Sequence, residues 1–300
     1  MRDKSAPPMS DAIASPSPAP GFARAFPSRS TGEGIATPPR ASGEIRASFA
    51  AHGGRTRVAR LYETGGLRLR FPRAGDMCEA VMVNTAGGIV GGDSARLTFE
   101  AGEGAHVALT SQSAEKIYRS DGARARMDVS LRLAAGARLE WLPQEAILFD
   151  RAAFTRSLAV NMAADARLVL CESVVFGRLA MGEQCREGAF RDRWRIRRAG
   201  RLVFAEDMRL EGAPADLLDR PAVGGGARAL ATLLVVAPDA AGWLEACRAT
   251  PVDPDCELSA SAFDGMLVAR MATPSPDRLR TAILDLHTRL LGRAAPRVWR

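Results

Sequence analysis

The segment with the clearest chemical potential is Asn84-Thr-Ala-Gly-Gly-Ile-Val-Gly-Gly-Asp93, since glycine-rich loops present backbone N–H groups to anions. It does not meet the requirements of a phosphate cradle. No Gly-Lys-Ser/Thr follows, the spacing is not G-x-G-x-x-G, and Ala95-Arg-Leu-Thr-Phe-Glu100 alternates like a strand where a helix is required. The pairs Gly87-Gly88 and Gly91-Gly92 suit backbone conformations closed to other residues, or the close approach of a second segment. Asp93 would then brace the turn with its carboxylate.

The rest of the chemical inventory is thin. His52, His106 and His287 are the only histidines and none is four residues from another, so each reads as a surface or packing residue, not a metal ligand. Five scattered cysteines (Cys78, Cys171, Cys185, Cys247, Cys256) form no C-x-x-C pair, which fits a reducing cytoplasm and neither a zinc knuckle nor a disulfide framework. No G-x-S-x-G elbow is present and no cysteine stands beside a base signature. The chain therefore reads as a non-enzyme with no tightly bound cofactor.

Carboxylates are better placed. Glu115, Glu145 and Glu172 each follow one of three related stretches, Gly104-Ala-His-Val-Ala-Leu-Thr110, Gly136-Ala-Arg-Leu-Glu-Trp-Leu142 and Asp165-Ala-Arg-Leu-Val-Leu-Cys171. Each stretch is a turn and then a strand, spaced 32 and 29 residues apart. A period near thirty is what stacked coils of sheet produce, because one unit cannot bury its own apolar face. Acidic groups would then gather along one side of the stack.

The elements that must position these groups are mostly strands. Apolar and polar residues alternate through 126–133, 138–142 and 191–197, with turn residues at Ala135-Gly136, Ala163-Ala164-Asp165 and Ala199-Gly200. Helical patterning comes late. Ser275 caps Pro276 at a first helical position, Leu279, Ile283, Leu286 and Leu290 share a face, and Gly292 closes the segment, while a shorter helix is predicted over 239–248. The expected fold is mainly β, a stacked β-helix-like or solenoid-like set of sheets with two α-helices near the C-terminus.

Residues 5–43 are crowded with Pro, Ser, Ala and Gly, so the expected organisation is a disordered tail over 1–44 and one β-rich domain over 45–300. A mitochondrial presequence is the alternative for the tail, although Asp3, Asp11 and Glu33 interrupt its arginines. The longest apolar stretch, 230–237, is too short to span a bilayer, so a soluble cytoplasmic protein without a membrane partner is expected.

The net charge of +7 is carried by arginine, since Lys4 and Lys116 are the only lysines. That suits an acidic partner surface or phosphate, and it equally reflects a base-composition bias. Arg191, Arg193, Arg195 and Arg197 would share one face of a strand, with Trp194 and Ile196 on the other. A nucleic-acid surface needs aromatic platforms, and at 6% aromatic content a solvated face is preferred.

Several ordered blocks now point to a family. The run 84–93, Thr110 with Lys116-Ile-Tyr-Arg-Ser120, Leu142-Pro-Gln-Glu145 with Ile147-Leu-Phe-Asp150, Glu172 with Phe176-Gly-Arg178 and Gly182-Glu183, and Pro296-Arg-Val-Trp299 resemble the urease accessory proteins of the UreD (UreH) type over residues 45–300. Gly65-Gly66-Leu67 departs from the usual Gly-Pro-Leu, and Asn84-Thr85-Ala86 stands where two prolines are common. Neither change touches a charged residue.

The resemblance implies a stacked β protein with two helices that binds apo-urease and the helical accessory protein UreF. UreF in turn recruits the GTPase UreG, and the assembly inserts nickel into urease. It also implies that Asp93, Glu172 and Glu206 line or lie near an internal route for nickel in transit, with Glu115 a fainter candidate. Tyr118, Arg119, Arg178 and Glu183 come with it as structural residues, beside the four glycines. Oxygen ligands hold nickel loosely enough for transfer. Equally, buried acids would pair with arginines, for example Glu172 with Arg178 or Arg167. Two other classes stay open: a β-helical carbohydrate-active enzyme using Asp93 and Glu172 as paired carboxylates, and a basic nucleic-acid-binding protein.

Overall fold

The computed structural model describes residues 40–72 and 77–299. The tail expected over 1–44 lies mostly outside the described residues, and the first strand starts at Ser42. Among the described residues the chain builds two sheets. The first, of seven strands, runs edge to edge through Arg201–Gly212, Gly188–Arg198, Ala153–Met162, Ala125–Leu133, Ser94–Ala101, Ser42–His52 and Arg55–Thr64. The second, of ten strands, runs through Glu257–Phe263, Met266–Thr273, Ala229–Val236, Arg167–Phe176, Arg138–Leu142, His106–Ser111, Cys78–Asn84 and Leu67–Arg70, with Glu115–Ile117 and Ala146–Leu148 beside this path.

The thirty-residue repeat is the coil of a β-solenoid. His106 lies opposite Arg138 and Arg138 opposite Arg167, so the three related strands stack in parallel and in the register that the sequence spacing implies. At each corner a small residue, Ala105, Ala137 or Ala166, is fully buried. The backbone amides of Arg138 and Arg167 donate to the carbonyls of Ala105 and Ala137 at 2.8 and 2.9 Å. Bulkier corners would push successive coils apart.

Between the sheets, equivalent positions stack into apolar ladders. One rung series is Ile45, Leu97, Val129, Leu158 and Trp194, and the next is Ala47, Phe99, Leu131, Val160 and Ile196. The second sheet answers with Leu109, Trp141, Leu170 and Leu234. Each strand contributes alternate residues to this interior, which is why period-two patterning was so regular along it.

The other face of the second sheet is buried as well. Helix Pro276–Leu291 lays Leu279, Ala282, Ile283 and Leu286 over Cys171, Leu233, Val235 and Leu267. Its Ser275 side chain accepts from the Arg278 amide, and Gly292 closes it in the left-handed conformation, φ 64°. Trp299 pins the chain end, donating from Nε1 to Thr110 Oγ1 and to the Leu142 carbonyl, both at 3.1 Å, beneath the stacked Arg280 guanidinium.

The segment predicted as one helix over 239–248 is a 3-10 turn, Ala240–Trp243, leading into the helix Leu244–Arg248. A short helix Pro214–Asp219 and the hairpin Glu257–Phe263 with Met266–Thr273 were not visible in the pattern. The hairpin's edge strand has Ser and Ala through its middle and an exposed Phe263 at its end, so its periodic signal is weak. Among the described residues no helix is long and apolar enough to cross a membrane.

Candidate functional site

One interior rung breaks the apolar rule. In the first sheet Ala95, Met127, Arg156, Asp192 and Met208 align across neighbouring strands, which places a cation and an anion where aliphatic groups stand elsewhere. Arg156 is 4% and Asp192 4% exposed. From the second sheet Glu172, 3% exposed, points into the same space from the series Glu172, Thr232 and Arg270.

The three groups form one ion cluster. Arg156 Nε and Nη2 donate to the two Asp192 oxygens at 3.1 and 2.5 Å, and Nη1 donates to Glu172 Oε2. The remaining Glu172 oxygen accepts from Trp141 Nε1 at 2.8 Å. Burial pushes the Glu172 carboxyl up and Asp192 adds to this, against the opposing pull of Arg156 and Trp141. The buried partner of Glu172 is therefore Arg156, not Arg178 or Arg167. Those two pair with Glu183 and Asp239.

Two cavities flank the cluster, and both have Arg156 and Glu172 in their walls. The first, about 130 Å³, extends past Met127 and Trp141 to Asn84, Gly87, Gly88 and Glu115. The second, about 350 Å³, is lined by Asp192, Trp194, Glu206, Thr232, Ser259 and Arg270 among others. Each therefore carries a carboxylate at a distance from the cluster.

Glu115 accepts from the Asn84 side-chain amide at 2.9 Å. Burial raises its pKa to about 7 despite that hydrogen bond and the nearby Lys116. Glu206 is held bidentately by Arg270, at 2.6 and 2.8 Å, at the wall of the second cavity. Glu145 points away and pairs with Arg280 at 3.7 Å on the helix-covered face.

Asp93 lines neither cavity. Its oxygens accept from the backbone amides of Ala41 and Val90 at 2.8 and 2.9 Å, which ties the glycine run to the start of the first strand. The run itself is overlaid by 116–118: the Ile89 amide donates to the Lys116 carbonyl and the Tyr118 amide to the Ile89 carbonyl, both at 2.8 Å. A Cβ on Gly88, φ 152°, would overlap the Tyr118 ring, and one on Gly91 would overlap Ser120. Gly92 packs against Arg40, whereas Gly87 has open space and receives the Tyr118 hydroxyl on its carbonyl at 3.1 Å.

Tyr118, Arg178 and Glu183 meet around Phe149. The Tyr118 ring packs edge-on to Phe149 with centroids 4.9 Å apart, Arg178 stacks over Phe149 at 4.5 Å, and Glu183 holds Arg178. The second Glu183 oxygen accepts from the Asp150 amide at 2.9 Å. Arg119 is exposed beside them, its backbone bridged to Ala152.

Sequence reasoning missed Arg156 and Asp192, although the signal was present. Phe154, Leu158 and Val160 lie two or four residues from Arg156, and Trp194 and Ile196 two and four from Asp192, so alternation already turned both charges inward. It also missed Glu140, which His106 and the buried His287 approach at 3.3 and 3.6 Å while Arg293 bonds it. Burial works against that charge, but the two imidazoles and the guanidinium outweigh it and hold Glu140 well below the usual carboxylate range. Among the described residues no group of three or more His, Cys, Asp or Glu side chains is arranged to hold a metal ion.

Residues 41–300 match the family described as UreD urease accessory protein. The chain is 53% identical to the urease accessory protein UreD of Beijerinckia indica subsp. indica over 242 residues, 80% of this chain and 90% of that protein. It is 47% identical to UreD of Xanthobacter autotrophicus over 255 residues, 85% and 88% of the two chains. With UreD of a Methylobacterium species it shares 49% over 253 residues, 82% and 90%.

Proposed function

The chain belongs to the UreD family of urease accessory proteins, and from that premise we propose that it is a urease maturation scaffold with an internal, carboxylate-lined route for nickel. It binds apo-urease and UreF, and UreG joins through UreF and supplies the GTP chemistry. The scaffold adds no catalytic group of its own. It acts in the cytoplasm, a compartment that its five free, buried cysteines suit.

The observation that carries this reading is the pair of cavities with Arg156 and Glu172 common to both. Glu115 lines the first cavity, Glu206 the second and Glu172 both, so a transferred cation would meet a carboxylate in each. Carboxylates bind a divalent ion without the tenacity of imidazole or thiolate sets, so each station can release what it takes. Asp93 serves the same body from outside the route, by fixing the glycine run that walls one end.

The test is co-expression of urease with its accessory proteins, with and without this chain, followed by nickel analysis of the purified urease. Nickel content is expected to fall to background without the chain. Full nickel content in its absence would end the proposal. Replacement of both Glu115 and Glu206 by Gln is expected to lower nickel loading while the complex still assembles.

A further inference from the structure

The junction of the two cavities is occupied by a cation that belongs to the protein. Arg156 spends its donors on Glu172 and Asp192, one carboxylate from each sheet, and all three groups are at least nine-tenths buried. One positive charge thus faces two negative ones in a low-dielectric interior, where an unbalanced carboxylate is strongly attractive to any further cation. Trp194 adds a second feature: the residue lines the second cavity with Asp192, and its Nε1–H is buried with no hydrogen-bond partner among the described residues. It offers a donor to an oxygen-bearing occupant, such as a water carried by a metal ion.

Resting on the nickel-route reading above, we propose that the Arg156 guanidinium is a displaceable plug whose place between Glu172 and Asp192 is taken by a divalent cation in passage. The exchange is chemically balanced. No bond to carbon or hydrogen changes, the guanidinium keeps its proton, and two carboxylates that shared one charge come to share two. The long side chain can rotate into the cavity behind the ion and return when the ion leaves. A monovalent ion gains no such advantage over the guanidinium, so the plug also selects for charge.

Equilibrium dialysis of the full chain against nickel tests the plug. Removing the competing cation in Arg156→Met is expected to tighten nickel binding about tenfold or more, and adding Glu172→Gln to that variant should cancel the gain. An affinity for folded Arg156→Met within about twofold of the unmodified chain overturns the plug. Because Arg156→Met leaves two carboxylates without their partner and can unfold, the unmodified chain is titrated as well. Nickel at Glu172 withdraws the acceptor of Trp141 Nε1, so indole emission is expected to quench by an amount that Trp141→Phe diminishes. Quenching that is absent, or equal in Trp141→Phe, overturns the plug. Transfer to apo-urease separates this from the route itself: if Glu172→Gln lowers transfer but the dialysis result is flat, the plug fails and the route stands. Undiminished transfer by Glu172→Gln with a tightened Arg156→Met sinks the route and leaves the cation site.

Discussion

Arg156 and Glu172 stand on different sheets and meet in the buried interior, so their ion pair is a strut between the two layers, which the less buried Glu206–Arg270 pair also bridges. Burying such a pair is costly, and an aliphatic pair of similar volume would hold the layers at least as well. Its presence in a ladder of Ala95, Met127 and Met208 therefore points to use, not to stability.

Glu172→Gln leaves Arg156 bidentate on Asp192 and still gives Trp141 an amide oxygen to bond. Its expected cost is about 1–3 kcal/mol, since the one amide oxygen cannot serve both Trp141 and Arg156 and a buried guanidinium N–H loses its acceptor. Urea unfolding followed by tryptophan fluorescence measures it. A loss at the scale of a broken buried pair, about 3–5 kcal/mol, would mean that Asp192 alone cannot hold the guanidinium.

Glu115 makes stability depend on pH in a stated direction. Its folded-state pKa, about 7, lies above the ordinary value of 4.5. Below 4.5 it is neutral folded and unfolded and contributes nothing to the slope. Between 4.5 and 7 the unfolded chain loses the proton while the folded chain keeps it, so stability falls as pH rises, and above 7 the effect is constant. Relative to Glu115→Gln, the unmodified chain should lose on the order of 2 kcal/mol between pH 4.5 and 8, a value reduced for partial solvent contact. Denaturant titrations of both proteins across that range would show a pH-independent difference if Glu115 were not held neutral.

The glycine run should be unequal in its tolerance. Gly88→Ala and Gly91→Ala force a methyl into the Tyr118 ring and Ser120, and are expected to cost about 2–4 kcal/mol. Gly87→Ala meets no neighbour and carries only the left-handed backbone penalty, roughly 1–2 kcal/mol. Thermal melts of the three variants rank them, and equal losses would contradict the overlaid arrangement.

Asp93→Ala removes the acceptor of two backbone amides, Ala41 and Val90, and is expected to cost about 1–3 kcal/mol. Asp93→Asn retains one oxygen and should lose less. If Asp93 acts only as a brace, urease activation should follow the amount of folded chain in both variants. Activation that collapses while the fold and the complex persist would return Asp93 to the nickel route.

The amino-acid sequence alone determined the β-solenoid class, the coil period and the terminal helix, because these follow from local alternation, turn residues and caps that any short window displays. His106–Ser111, Arg138–Leu142 and Arg167–Phe176 stack in the register that their spacing implied. The turn of Arg191, Arg193, Arg195 and Arg197 away from the buried Trp194 and Ile196 was legible in the same way. What only the tertiary structure decided is which charges meet. Arg156 with Glu172 spans 16 residues, Arg156 with Asp192 spans 36 and Glu140 with Arg293 spans 153. Alternation tells whether a side chain faces inward, but the partner it finds depends on how two sheets are laid face to face. That is a property of long-range packing, and no local window contains it.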